Sequence, residues 1–279
     1  MAYLWYILNM ASDEIKSNFH THTELCRHAK GKPADYAQEA VNKGLSILGF
    51  SDHAPFFDTD YGYRMMYDEL DLYISLVQST KEDFSDKLEI LQALEIEWLP
   101  RYMKSYKNSD NYYEWLLTQE KMDYLLLGEH FFEHNENLIN ITSISSTQDA
   151  VIYANEIKEA LNTGYFKILA HPDIFTINEN WSWNEDYQKA TDIIIEAAIK
   201  TNVLLEYNAN GLRRGIKTYP DGERWQYPHQ RFWDNVKQAG LPCIVGSDCH
   251  SPKVLWDDNV LNSIRNIENL RIKREKKLK

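Results

Sequence analysis

Short apolar runs alternate with longer amphipathic stretches from residue 17 to residue 270, and this rhythm leaves few architectures open. The strand-like runs are Ser17–Thr23, Leu45–Ser51, Leu88–Glu97, Met122–His130, Phe166–His171, Val203–Asn208 and Pro242–Ser247. Helical periodicity covers Pro33–Lys43, Tyr67–Asp86, Asn111–Gln119, Thr147–Thr163, Glu185–Lys200 and Pro228–Ala239, and a last helix begins near Trp256. Pro33, Thr147 and Pro228 are helix-start signals, and Gly44, Gly164 and Gly240 are stops. Strand–helix repetition predicts a parallel sheet clothed by helices. Seven such units without a compositional break predict one domain over residues 1–279, an α/β fold with a closed or nearly closed barrel.

The two ends are read separately. Residues 1–16 form an N-terminal extension that opens with the apolar run MAYLWYILNM. That run lacks a basic lead-in and a small-residue cleavage pattern, and it is about half the ~20 residues needed to span a bilayer. It is read as a cap or docking segment. The basic tail, residues 270–279, is read as a solvated helix end. No other stretch approaches a membrane span, so no membrane partner is expected. Three cysteines (Cys26, Cys243 and Cys249), without paired spacing, point to a reducing cytoplasm and not to a disulfide framework. The net charge of −12 argues against a nucleic-acid partner but is compatible with a small anionic substrate, because bound cations set the local field. Oligomeric state is left open.

The placement of histidine carries the functional reading. Seven of the nine histidines (His20, His22, His28, His53, His130, His171 and His250) fall at or just beyond predicted strand C-termini. That edge is where α/β barrels build active sites. His20 and His22, two apart on a strand, point to one face, and such a pair can chelate one ion. Asp52 and His53 end the second run, and Asp248 and His250 end the seventh. Glu95 and Glu97 interrupt an apolar run, where a buried carboxylate is costly unless paired or metal-bound. Taken singly, each residue has an ordinary explanation as a surface or core group. Together, so many imidazoles and carboxylates at one rim call for cations.

These residues resemble the polymerase and histidinol phosphatase (PHP) family. "HTHTELCRHAKG", "SDHAPF", "ALEIEWLP", "EYNANGLRRG" and "VGSDCH" are similar to its histidinol-phosphatase branch, although that branch usually has glycine in place of Ala93. The resemblance runs from about Asn18 to His250. It implies a distorted (β/α)7 TIM-like barrel holding two to three divalent ions (Zn, Mn or Fe) at the C-terminal rim of the strands. Carried over by position, His20, His22, Glu95 and Asp248 bind one ion. Glu95 bridges to a second, completed by His130 and His171, and His28, His53 and His250 hold a third. Glu97 lies outside the ligand set.

The activity implied is hydrolysis of L-histidinol phosphate to L-histidinol and phosphate, as in histidine biosynthesis, by attack of a metal-bridging hydroxide. Clustered ions lower the pKa of bound water toward ~7 and neutralise the phosphoryl oxygens. Asp248, Glu95 and His250 are the catalytic candidates, and the proton for the leaving group comes from Asp248 or a metal-bound water. Arg213 and Arg214, past the sixth strand, suit bidentate phosphate binding, and Arg213 is the favoured of the two. Glu129 is a candidate reader of the substrate amine and imidazole. Rival readings are another phosphoesterase of the family (acting on phosphotyrosine, a nucleotide or a cyclic phosphate, or as an exonuclease), a non-catalytic metal-binding barrel, and an amidohydrolase. The last often relies on a carboxylated lysine at a strand end, and no lysine is so placed.

Overall fold

A computed structural model describes residues 15–56, 62–99, 111–135 and 137–278. The chain runs through β1 (Ser17–Asn18), α1 (Pro33–Lys43), β2 (Ile47–His53), α2 (Leu70–Asp83), β3 (Glu89–Ile96), α3 (Tyr112–Thr118) and β4 (Tyr124–Leu127). A hairpin follows, β5 (Phe131–His134) and β6 (Asn137–Asn140), then α4 (Gln148–Asn162), β7 (Phe166–Leu169), α5 (Glu185–Thr201), β8 (Leu204–Asn208) and the short α6 (Ala209–Arg213). A second hairpin, β9 (Ile216–Tyr219) and β10 (Gly222–Trp225), leads to α7 (Gln230–Ala239), β11 (Cys243–Gly246) and α8 (Asp258–Leu270).

Seven strands form one parallel sheet in the order β1-β2-β3-β4-β7-β8-β11. Its ends meet at the C-terminal rim. Thr21 bridges Cys249, the His22 amide donates to the Cys249 carbonyl at 3.1 Å, and the Ser247 amide donates to Asn18 Oδ1 at 2.8 Å. The result is a near-closed, barrel-like sheet. Every residue of β2 is buried, as a strand covered on both faces must be. Phe19, Ile47, Ala93, Tyr124, Leu126, Ile168, Ala170 and Ile244 fill the interior, and the larger apolar layer lies between sheet and helices.

Most helix signals act as read, but Pro228 lies before the N-cap His229, so α7 starts two residues later than expected. Pro33 opens α1, and Gly44 closes it with left-handed backbone at φ 71°. Several apolar runs extend past their strands. β4 stops at Leu127 and β7 at Leu169, so His130 and His171 lie in the connections beyond. Both hairpins are additions to the predicted elements. The basic tail is corrected: α8 ends at Leu270, Ile272 is buried, and the chain turns back to pair with β11. There the Cys243 amide donates to Lys273 O at 2.9 Å and the Glu275 amide to Cys243 O at 2.7 Å. Backbone pairing, not solvation, fixes this segment. The apolar run MAYLWYILNM lies outside the described residues. No helix among the described residues is long and apolar enough to cross a membrane.

Candidate metal centre

Six strands deliver side chains to the C-terminal rim. β1 leads to His20 and His22, β2 ends on His53, and β3 carries Glu95; β4 leads to His130, β7 to His171, and β11 to Asp248 and His250. The β2–β3 register sets His53 directly beside Glu95. His171 and Asp248 hold left-handed backbone at φ 28° and 47°, a conformation that costs a non-glycine residue energy and recurs at functional sites.

Glu95 is the hub. Its Oε2 lies 3.0 Å from His53 Nδ1, 3.3 Å from His20 Nε2 and 3.4 Å from His22 Nε2. Its Oε1 lies 3.0 Å from His171 Nε2 and 3.7 Å from His130 Nε2. Asp248 Oδ1 adds a second carboxylate oxygen, 3.3 Å from His22 Nε2 and 3.7 Å from His20 Nε2. The rings of His28 and His250 lie 4.4 Å apart, and those of His22 and His250 stack at 4.3 Å. The nine residues expected as ligands are therefore gathered at one place.

Their hydrogen bonding fits divalent cations. His20 Nδ1 is 2.9 Å from Glu206 Oε1; an ionised carboxylate only accepts, so the proton sits on Nδ1. Its Nε2 then faces His22 Nε2 at 3.0 Å, two imidazole nitrogens turned toward each other. His22 Nδ1, His53 Nδ1, His171 Nδ1 and His250 Nε2 are buried with no hydrogen-bond partner. The 3.0 Å approach of His53 Nδ1 to Glu95 is close enough for an ion pair but poorly directed for a hydrogen bond. Imidazole and carboxylate donors of this kind suit zinc, manganese or iron. Cys26 Sγ also approaches His28 and His250 closely enough to share an ion with them, a donor the sequence reading left aside.

Electrostatics point the same way for the two carboxylates and for His22, His28, His53 and His250, while, against burial, Glu95 and Glu97 raise His130. Burial alone would raise Glu95, but His20, His53, His130 and the bond from His171 outweigh it and hold the carboxyl well below its usual range. Asp248 is likewise held low, against burial, by His20, His22 and His250. Burial pushes His53 well below its ordinary value, and burial with the neighbouring His22 pushes His250 down to about 4. Ionised carboxylates and neutral imidazoles are the ligand-competent forms. His20 is raised well above its ordinary value: burial opposes this, but Glu206, Glu95 and Asp248 prevail. Its extra proton must leave when an ion arrives.

A second layer of polar residues supports the ligands; the sequence singles out Glu97 and Asp52 but not their partners Arg64 and Thr23. Glu97 accepts both Arg64 Nη atoms at 2.9 Å and lies 3.2 Å from His130 Nδ1, fixing that ring. Arg64 and His130 pull the Glu97 carboxyl down to about 2 against the effect of burial. Asp52 accepts the Thr23 amide at 2.6 Å and the Thr23 hydroxyl at 2.5 Å. His28 Nδ1 lies 2.8 Å from the Cys26 carbonyl, which fixes that ring.

The centre opens into a cleft of about 320 Å³ whose walls include Tyr63, Phe131, Ile174, Asn210, Arg214 and Tyr227. The three substrate-binding candidates separate here. Arg214 is exposed and lines the cleft. Arg213 does not reach it: its guanidinium donates to both Asp257 oxygens at 2.8 and 3.1 Å, to Ser247 O and Oγ, and to Val254 O. Glu129 does not reach it either. It is fully buried, with Oε2 accepting the Trp98 amide at 2.7 Å. Burial raises its carboxyl well above the usual range, so Glu129 is an interior acid and not a substrate reader.

The PHP domain model matches residues 18–210. A Deinococcus radiodurans protein named "Probable histidinol-phosphatase" is 26% identical over 237 residues, covering 84% of this chain and 85% of the relative. The histidinol-phosphatase of Bacillus subtilis is 24% identical over 262 residues, covering 84% of this chain and 93% of its own. The fold matches that of a Lactococcus lactis histidinol phosphate phosphatase, solved with zinc, L-histidinol and phosphate, with a TM-score of 0.65 at 16% identity. That match covers 95% of this chain and 98% of the other.

Proposed function

This chain belongs to the PHP domain family, and from that premise we propose that it is a phosphomonoesterase that hydrolyses L-histidinol phosphate to L-histidinol and phosphate with two to three divalent ions. The observation that carries this reading is the split of Glu95. One oxygen faces His20, His22 and His53 within 3.4 Å, and the other faces His130 and His171 within 3.7 Å, as a bridge between two ions requires. His20, His22, Glu95 and Asp248 would hold one ion, Glu95, His130 and His171 a second, and His28, His53 and His250 a third. Divalent ions there supply water activation at neutral pH and neutralise the phosphoryl oxygens.

The chain's own residues account for the rest. Asp248 Oδ2 accepts the amides of Asn208 and Asn210 at 3.2 and 3.1 Å, while Oδ1 faces His20 and His22. With both oxygens engaged, Asp248 acts as a fixed ligand. Arg214, on the open side of the cleft, is placed to clamp the phosphate from the direction of solvent. Tyr63, Phe131 and Tyr227 offer flat apolar walls suited to the planar imidazole ring that the leaving alcohol carries. The small relatives named for histidinol phosphate, matched over most of their length, support the choice of ester.

The test is phosphate release from L-histidinol phosphate beside p-nitrophenyl phosphate, AMP and phosphotyrosine, after reloading with manganese or zinc. A strong preference for histidinol phosphate is the expected result. Preference for another ester would keep the centre and reject the substrate, and silence across the panel with ions bound would reject histidinol phosphate and point to a different phosphoester or a non-catalytic role.

A further inference from the structure

We infer that β8 is the strand that orients the metal ligands without supplying one, and that its Glu206 is a positioning residue shared by both halves of the centre. This rests on the metal centre proposed above. Of the seven strands in the sheet, β8 alone contributes none of the nine candidate ligands, although it lies between β7 and β11, which lead to His171, Asp248 and His250. What it carries instead is a run of polar side chains under the ligands.

Glu206 is completely buried, and three donors converge on it. Oε1 accepts His20 Nδ1 at 2.9 Å; Oε2 accepts the His171 backbone amide at 3.1 Å and Asn208 Nδ2 at 2.8 Å. His20 belongs to the Oε2 side of Glu95 and His171 to the Oε1 side, so one carboxylate holds a ligand of each of the two ions that Glu95 would share. The same Asn208 amide also donates to Asp248 Oδ2 at 3.2 Å, extending the network to a third ligand. Glu95 thus joins the two halves from among the ligands, and Glu206 joins them from behind.

The chain makes room for this carboxylate. A Cβ at Gly246 of the neighbouring β11 would run into Glu206 Oε1, so the strand beside it must be bare at that point. A buried carboxylate is retained only where its oxygens are satisfied, and Glu206 faces hydrogen-bond donors alone. Its acceptor-only character sets the His20 tautomer. With the proton pinned on Nδ1, the Nε2 lone pair is free to ligate. An amide in place of the carboxylate breaks this in either orientation. If its NH2 meets His20, the imidazole must move its proton to Nε2, the ligating atom. If its NH2 meets the His171 amide and Asn208, donors face donors and the turn that carries His171 loses its anchor.

The experiment compares Glu206→Gln with the wild type as whole, metal-reloaded proteins. It measures zinc content per chain against increasing chelator and, separately, the Tm of the metal-free proteins. Outer-shell substitutions weaken metal binding by about 10–100-fold. The expected result is that two ions leave Glu206→Gln at correspondingly lower chelator concentration. Glu97→Gln, whose carboxylate approaches His130 but not the other ligands among the described contacts, loosens one. Loss of a single ion from Glu206→Gln would overturn the shared role. A lower metal-free Tm with wild-type ion retention would make Glu206 merely structural and also overturn it. Should the amide variant not fold, Glu206→Asp, which draws both acceptor oxygens back by one methylene, must show the same paired loss in smaller degree. A wild-type protein that takes up no zinc would instead reject the metal centre itself.

Discussion

At the scale of single residues, the site is a problem in how many demands one carboxylate can meet. Glu95 is buried among five imidazoles, and each oxygen serves a different set. Glu95→Gln preserves shape and replaces one oxygen by an NH2 that cannot ligate. We predict a fall in turnover of about 100-fold or more, with loss of bound ions measured by elemental analysis on the same sample; full activity at full metal content would contradict the bridging role. Arg213 and Arg214 supply a sharper contrast. Arg214→Ala should raise KM about tenfold, the worth of one charge-assisted hydrogen bond of roughly 1.4 kcal/mol, and leave Tm unchanged. Arg213→Ala should do the reverse, lowering Tm while KM holds, because it strips partners from Asp257, Ser247 and Val254. The sequence favours Arg213 of these two neighbours, but one step along the chain decides which faces the cleft, and that is Arg214. The histidine positions were legible because strand ends predict a common rim. Glu206 and Arg64 were not, since a carboxylate or guanidinium reads alike in sequence whether it is solvated or buried against a partner.

At the scale of elements, the barrel's strands and helices follow from periodicity and punctuation, while its hairpins do not. β5 and β6 are four residues each and too short to set a pattern against the polar loop around them. β9 and β10 flank a turn signal, Pro220-Asp221-Gly222, but their four residues each set no alternation of their own. The first hairpin is fastened to α4 by one titratable group: both Glu156 oxygens accept the Glu133 amide, at 2.9 and 3.0 Å. Burial first, then Glu133 and Glu159, raise the Glu156 carboxyl to about 7. The folded protein therefore holds this proton more tightly than the unfolded chain. The contribution is full below the ordinary carboxylate value of 4.5 and is lost as pH rises through about 7. Glu156→Gln should accordingly raise Tm relative to wild type at pH 8 and leave the difference near zero at pH 4.5. Thermal melts across that range decide it, and a Tm gain at the acid end would reverse the sign and refute the assignment. Gly128 belongs to the same scale. A methyl there would run into Glu95 Oε1, so Gly128→Ala should lose ions while far-UV circular dichroism stays native.

At the scale of the whole molecule, the ligands come from six strands of a sheet that closes only near its rim, where Thr21 bridges Cys249. Ions bound there would connect β1 and β11, the two edges, through His20, His22 and Asp248, and would place positive charge inside a chain of net charge −12. Because a preformed cluster of this kind exists only in the folded state, ion binding is linked to folding. A site held at a hundred times its Kd contributes about 2.7 kcal/mol. At roughly 2–4 °C per kcal/mol, chelation should lower Tm by about 5–10 °C for each ion removed. The shift should grow with the logarithm of free metal concentration and vanish in Asp248→Ala for the ion that this residue holds. A surface-bound ion would leave Tm nearly independent of metal and insensitive to Asp248, so a flat titration would mean that the gathered histidines are not where the ions bind.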